Sequence, residues 1–217
     1  INGCAIEAWT VCPNADLSNA DLSGANLSYA YLIEAILEGV YGRLSNASGI
    51  VLPSSYFIFN NYIVGPDVDL SGANLRSANL GPGVNLSGAN LNGADMSGVI
   101  FNGAFLNRIN LNGADLTNIN MTDAPLFIVD LINANLTGAN LTGANLTHVD
   151  LTNANLTGAT LMSVSSQLSD ASGITLPSGY IIANDHIVGP GVNLSDANLT
   201  GANLSDIDLS GVNVNMS

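Results

Sequence analysis

The 217 residues predict an all-β solenoid, a chain wound into a four-cornered tube with about 20 residues per coil. Three observations predict it: apolar residues recur every five positions, a small apolar residue stands two places before each, and turn-forming residues fill the remainder. From Ala15 the chain reads Ala15-Asp16-Leu17-Ser18-Asn19, Ala20-Asp21-Leu22-Ser23-Gly24, Ala25-Asn26-Leu27-Ser28-Tyr29, and 29 such pentads follow the pattern. The central residue is Leu in 25 of them, the exceptions being Met96, Phe101, Met121 and Val214. Two places earlier stands Ala in 19, Val in 7 and Ile in 3, with Asn or Asp between the two apolar sites in 23.

No helix keeps such a period on one face, because five-residue steps walk around a 3.6-residue turn. In an extended segment, residues i−2 and i point the same way and i−1 points opposite. The small residue and the Leu therefore share the inside, while Asn or Asp faces out. Ser or Thr followed by Gly, Asn or Asp then bends the chain. Bends of about a right angle close a coil after four pentads, and stacked coils pair their backbones at the ~4.8 Å strand spacing. Each buried Leu contributes roughly 1.5–3 kcal/mol, and the small partner keeps the tube narrow. Outward Asn and Asp are placed to bond neighbouring backbone and to stack as ladders.

Composition bounds the function. Charged residues make up 9% and the net charge is −14, with three Arg and no Lys, so the surface must be Asn, Ser and Thr. Phosphate backbones would find almost no counter-charge, which argues against direct nucleic-acid binding and against an anionic membrane surface. Polar residues interrupt every apolar run well short of a membrane span of ~20 residues. The chain opens on Ile1 with no basic stretch and apolar run behind it, as a processed or cut end would. Cys4 and Cys12 read as a local disulfide ahead of two free, partly buried thiols, and a disulfide implies an oxidising compartment.

Tandem Ala-(Asp/Asn)-Leu-(Ser/Thr)-x, as in Ala134-Asn135-Leu136-Thr137-Gly138-Ala139-Asn140-Leu141-Thr142-Gly143, resembles the pentapeptide-repeat family over most of 15–42, 68–166 and 192–217. The resemblance implies a right-handed quadrilateral β-helix. Two segments interrupt the pentads: Arg43–Asp67 and Gln167–Gly191 agree at 16 of 25 positions, 124 residues apart. Asn60-Asn61 and Asn184-Asp185 lie between apolar runs and suit a two-residue turn, so each insert reads as a short hairpin or an enlarged coil. Gly65-Pro66 and Gly189-Pro190 return the chain to the tube. The LP-x-G-Y and IVGPG motifs, complete in the second insert, are similar to elements of secreted bacterial members. At Gly81-Pro82 the centres Leu80 and Leu86 are six apart, which predicts a one-residue bulge. The domain organisation expected is a cap over 1–14 with a disulfide between Cys4 and Cys12, and a single solenoid over 15–217, interrupted at 43–67 and 167–191.

Catalytic and cofactor chemistry find no constellation. His148 and His186 stand apart from any nucleophile, no G-x-S-x-G elbow or phosphate loop is present, and no cofactor is expected. The outward aspartates interchange with Asn, which points to hydrogen bonding rather than metal ligation, although Asp95 and Asp115 lie one coil apart and could share a cation. More informative are apolar residues in outward places: Tyr29, Tyr31, Ile33 and Ile36, then Ile100, Phe105, Pro125, Phe127 and Ile128. They form a candidate interaction patch, unless the inserts fold back over it with Phe57 and Phe59. Trp9 and Val11 are expected to plug the first coil together with Ala5, Ile6 and Ala8. A solenoid's last coil carries unpaired strand edges, so the expected partner is a second copy stacked head to tail. The function expected is a non-catalytic structural scaffold, secreted or at the cell surface of a bacterium, self-associating into a fibre. The alternative, implied by the family, is an acidic DNA mimic acting on a type II topoisomerase.

Overall fold

The computed structural model describes residues 7–81, 83–101, 104–126 and 129–214. The chain winds into a right-handed quadrilateral β-helix, and no described residue is helical. Outward residues 20 apart pair in parallel, so four faces can be followed along the tube. Face 1 carries Val11, Tyr31, Val51, Asn79, Ile100 and Asn120; face 2 carries Asp16, Ile36, Asn85, Phe105, Pro125, Asn145, Ser165 and Asn193. Face 3 carries Asp21, Tyr41, Asp69, Asn90, Asn110, Asp130, Asp150 and Asp170; face 4 carries Asn26, Asn46, Asn74, Asp95, Asp115, Asn135 and Asn155.

One pentad shows why the period is five. The Asn135 amide donates back one coil to the Ala114 carbonyl (3.0 Å), and the Leu136 amide donates forward to Asn155 (2.7 Å). The Ala139 amide then closes a turn on the Leu136 carbonyl (3.0 Å), with Gly138 at φ 68°. That is the geometry of a type II turn, whose third residue needs positive φ. Gly, Asn or Asp supplies it at the end of most pentads; Asn118, Asp123 and Asn133 sit at 55°, 53° and 58°. Leu136 and Leu156 are fully buried in adjoining coils, and the small residues Ala134 and Ala154 lie beside them.

Coil register reaches back to Val11, which pairs with Tyr31, within the stretch expected to cap the tube. Cys12 takes the inward Leu place and is buried, its amide donating to Tyr31 (3.0 Å). Cys4 lies outside the described residues. The extra residue near Gly81 shows in the pairing: Asp69–Asn90, Asn74–Asp95 and Asn79–Ile100 are 21 apart, after which the spacing returns to 20. Pro82 itself lies outside the described residues.

Both inserts are hairpins. Strands β1 (Phe57–Phe59) and β2 (Tyr62–Val64) pair antiparallel, as do β3 (Ile181–Ala183) and β4 (His186–Val188). Asn60 and Asn61 sit at φ 48° and 63°, Asn184 and Asp185 at 46° and 63°, the double positive φ of a type I′ turn. The hairpins do not fold back over outward aromatics, the covering role considered for Phe57 and Phe59. They wedge between coils: the tip carbonyls of Asn61 and Asp185 accept the amides of Leu44 and Leu168 (2.8 Å each), and the Asn60 amide side chain reaches the Asn74 carbonyl at 3.1 Å. Across the wedges, Tyr41 pairs with Asp69 and Ser165 with Asn193, 28 residues on instead of 20. The second wedge starts one face earlier than the first.

Period-two alternation gives the first hairpin two apolar faces. Ile58 and Ile63, cross-strand partners, pack into the core of residues 12–47; Phe57, Phe59 and Val64 pack into the core beyond it. The hairpin is thus a cross-wall that divides the tube's interior into two separate cores. At its root, the Tyr56 ring lies against Gly65, and the Tyr180 ring against Gly189 in the copy.

Candidate interaction surface

The described members of the expected patch lie on two adjoining faces and the corners beside them. Tyr31 and Ile100 belong to face 1; Ile36, Phe105 and Pro125 belong to face 2. Phe105 and Pro125 occupy successive coils there, between Asn85 and Asn145, and Phe105 is 54% exposed. Tyr29 and Ile33 stand at the corners beside Tyr31 and are exposed. Phe127 and Ile128 lie outside the described residues.

Trp9 and Val11 belong to this surface and do not plug the tube, because the repeat register puts them outside. Val11 precedes Tyr31 by one coil and is 72% exposed; Trp9 precedes Tyr29 by one coil and is 69% exposed. The Trp9 and Tyr29 rings stack at 4.3 Å between centroids with 13° between planes, close to the coil spacing. Tyr29 continues the column over Gly49, where any side chain would strike its ring. Tyr41 and Val51 are exposed as well and escaped the sequence reading. Counting back and forward by 20 from Tyr31 is the signal that finds Val11 and Val51.

The polar faces are tied up in their own hydrogen bonds. On face 4 the Thr137 hydroxyl donates to Asn135 (2.6 Å) and the Asn155 amide donates to Thr137 (3.1 Å); Asn135 likewise donates to Thr117 (2.9 Å). On face 3, Asn110 donates to Asn90 and Asn90 to Asp69, each at 3.1 Å. Asp95 and Asp115 occupy adjacent rungs but have separate partners: Arg76 lies 3.3 Å from Asp95, and Asn135 and Thr117 donate to Asp115. Burial raises the Asp95 carboxyl's pKa, but the Ser97 hydroxyl and amide and the Arg76 guanidinium outweigh it and leave it below the usual value. Among the described residues no group of three His, Cys, Asp or Glu side chains is placed to hold a metal. His148 is exposed in the left-handed region at φ 62°, and His186 lies buried at the start of β4 with Nδ1 on the Ser166 carbonyl.

Aspartate oxygens also accept the amide two residues on, which caps the turn. The Ser172 hydroxyl and amide hold the Asp170 carboxyl below its ordinary pKa, and Ser18 and Ser23 do the same for Asp16 and Asp21. A carboxyl with a lower pKa in the folded state stabilises the fold above its unfolded value near 3.8 and loses that contribution as pH falls through the folded value. Thermal scans from pH 5 down to 2.5 are therefore expected to show a smaller loss for Asp170→Asn than for the unaltered chain, since the amide still accepts the Ser172 bond without titrating. Parallel curves would count against this role.

Residues 8–40, 83–118, 129–164 and 190–215 match the pentapeptide repeats in 8 copies. No curated protein matches the chain. Among solved structures, it is similar to HetL, a pentapeptide repeat protein involved in heterocyst differentiation regulation from Nostoc sp. strain PCC 7120, at 28% identity over 77% of this chain and 83% of that one, with a TM-score of 0.29. It is similar to full-length QnrB1, a plasmid-mediated fluoroquinolone resistance protein, at 14% identity over 95% and 94%, TM-score 0.34. It is also similar to Rfr23 from Cyanothece 51142, at 27% identity over 50% and 90%, TM-score 0.21. With the matched segments covering more than half of its length and the coil built pentad by pentad as described, this chain belongs to the pentapeptide repeat family.

Proposed function

We propose that this chain is a non-catalytic structural scaffold, secreted or at the cell surface, that associates with copies of itself by coil-on-coil stacking. The observation that carries the reading is the coil of residues 193–213. Leu209 there is 37% exposed and Leu199 and Leu204 are partly exposed, whereas the same site is fully dry at Leu116 or Leu136. Another coil laid over this one would bury them and extend the parallel pairing. A Cys4–Cys12 disulfide belongs to the same reading, since it would suit an oxidising compartment. Light scattering over a hundredfold concentration range, with electron microscopy, tests it: growth in mass into end-to-end rods supports it, and a constant monomer mass overturns it.

A second reading, an acidic rod occupying the DNA site of a type II topoisomerase, draws on the net charge of −14 and on Asp130, Asp150 and Asp170 stacked on successive rungs of face 3. Inhibition of gyrase supercoiling at micromolar protein would favour it over the scaffold.

A further inference from the structure

Duplication supplies an internal control. Each residue around β3–β4 has a counterpart 124 positions earlier around β1–β2, so differences mark what one copy has changed. His186 stands where the first copy has Tyr62, and Ser165, Ser166 and Gln167 stand where it has Tyr41, Gly42 and Arg43. Three large side chains have become smaller polar ones. Beside them lies a hollow of about 260 Å³, walled also by Asn145, Asn193 and Asp196.

The imidazole of His186 is held with one nitrogen spoken for. The residue is 7% exposed, and Nδ1 donates to the Ser166 carbonyl, which places the ring's proton on Nδ1 and leaves a lone pair on Nε2. Ser166 is fixed in turn, its hydroxyl accepting the Ile187 amide at 2.9 Å. Glycine at the matching place in the first copy sits at φ 97°, where a side chain would run into Ser23, so the Ser166 clamp belongs to the second copy. Every fully buried side-chain nitrogen and oxygen among the described residues has a partner, so Nε2, which has none, is not fully enclosed, and His186 lines the hollow.

The other walls offer both kinds of hydrogen-bonding group. Asn145 and Asn193 use their carbonyl oxygens on the amides of Thr147 (3.0 Å) and Ser195 (3.1 Å), which leaves their amide N–H groups as donors. Asp196 and Nε2 are acceptors, and Gln167 is both. No cation lines the hollow, and an anion would face Asp196 and a net charge of −14. Interleaved neutral donors and acceptors suit a molecule carrying several hydroxyls. We propose that this hollow binds a neutral polyhydroxylated ligand of the size of one pyranose ring, with Nε2 of His186 accepting a ligand hydroxyl and Asn145 and Asn193 donating to its oxygens.

Saturation-transfer NMR on the full chain with methyl α-D-glucopyranoside, methyl α-D-galactopyranoside and N-acetylglucosamine tests this. At least one sugar is expected to give saturable transfer at millimolar concentration, weakened tenfold or more in His186→Tyr and in Gln167→Arg. Both replacements are residues that the first copy carries in the same fold, and circular dichroism confirms that each variant is folded. Absence of transfer from all three sugars, or transfer that His186→Tyr leaves unchanged, overturns the proposal. Stoichiometric Zn²⁺ binding that perturbs the His186 ring resonances, with no sugar response, overturns it in favour of a metal.

Discussion

Leu136→Ala is expected to lower the unfolding free energy by about 2–5 kcal/mol, the cost of lost apolar transfer plus a cavity that cannot collapse. The side chain is fully buried between coils carrying Leu116 and Leu156, each equally dry. The backbone around it is pinned in both directions, through bonds to Asn155 ahead and from Asn135 to Ala114 behind. A tube wall held this way has little freedom to close on a missing isobutyl group. Leu209→Ala is the control: the repeat site is the same, but the residue is 37% exposed, and about 1 kcal/mol or less is expected. Denaturant unfolding followed by circular dichroism measures both. Equal costs at the two sites would contradict the layered burial.

Gly65→Ala is expected to cost about 1–3 kcal/mol through overpacking at the root of the cross-wall. An added methyl would sit 2.3 Å from the Tyr56 ring, and the nearest atoms are in the body of that ring rather than at a flexible tip. Gly189 and Tyr180 repeat the arrangement, with the Tyr180 hydroxyl further tied to the Pro190 carbonyl at 2.9 Å. This contact explains why both inserts keep a Tyr nine residues before a Gly. In a Tyr56→Ala background the same glycine replacement is expected to cost clearly less, because the obstructing ring is gone. Gly72→Ala separates the two uses of glycine: nothing lies within 4 Å of its added methyl, so its cost of about 1 kcal/mol comes from φ of 66° alone. A double-mutant cycle in urea gives the coupling, and additive costs at Tyr56 and Gly65 would refute the steric account.

Much of the solenoid was legible because its code is local. Leu at every fifth place, Ala two before it and Gly or Asn at the bend each satisfy a requirement that a single pentad states, and the coil repeats the solution. Asn60-Asn61 and Asn184-Asp185 announced their hairpins through turn chemistry for the same reason. The places of Trp9 and Val11 are hidden because both their pentads lack the central Leu, with Glu7 at the centre for Trp9 and Cys12 for Val11, so the local pattern fades while the 20-residue register to Tyr29 and Tyr31 persists. The hollow beside His186 was not legible at all, since it joins Asn145, Gln167 and Asn193, which meet only when coils stack.

The amino-acid order alone determined the period, the inward and outward sides, the four-step coil and the existence of two matched turns, since each follows from steric and hydrogen-bonding needs within a few residues. Tertiary structure decided where the hairpins go. Ile58 and Phe57 are adjacent and similarly apolar, and either hairpin face could have covered an outer wall; only between two coils do both faces leave water at once, and that burial turns the first insert into a wall across the tube.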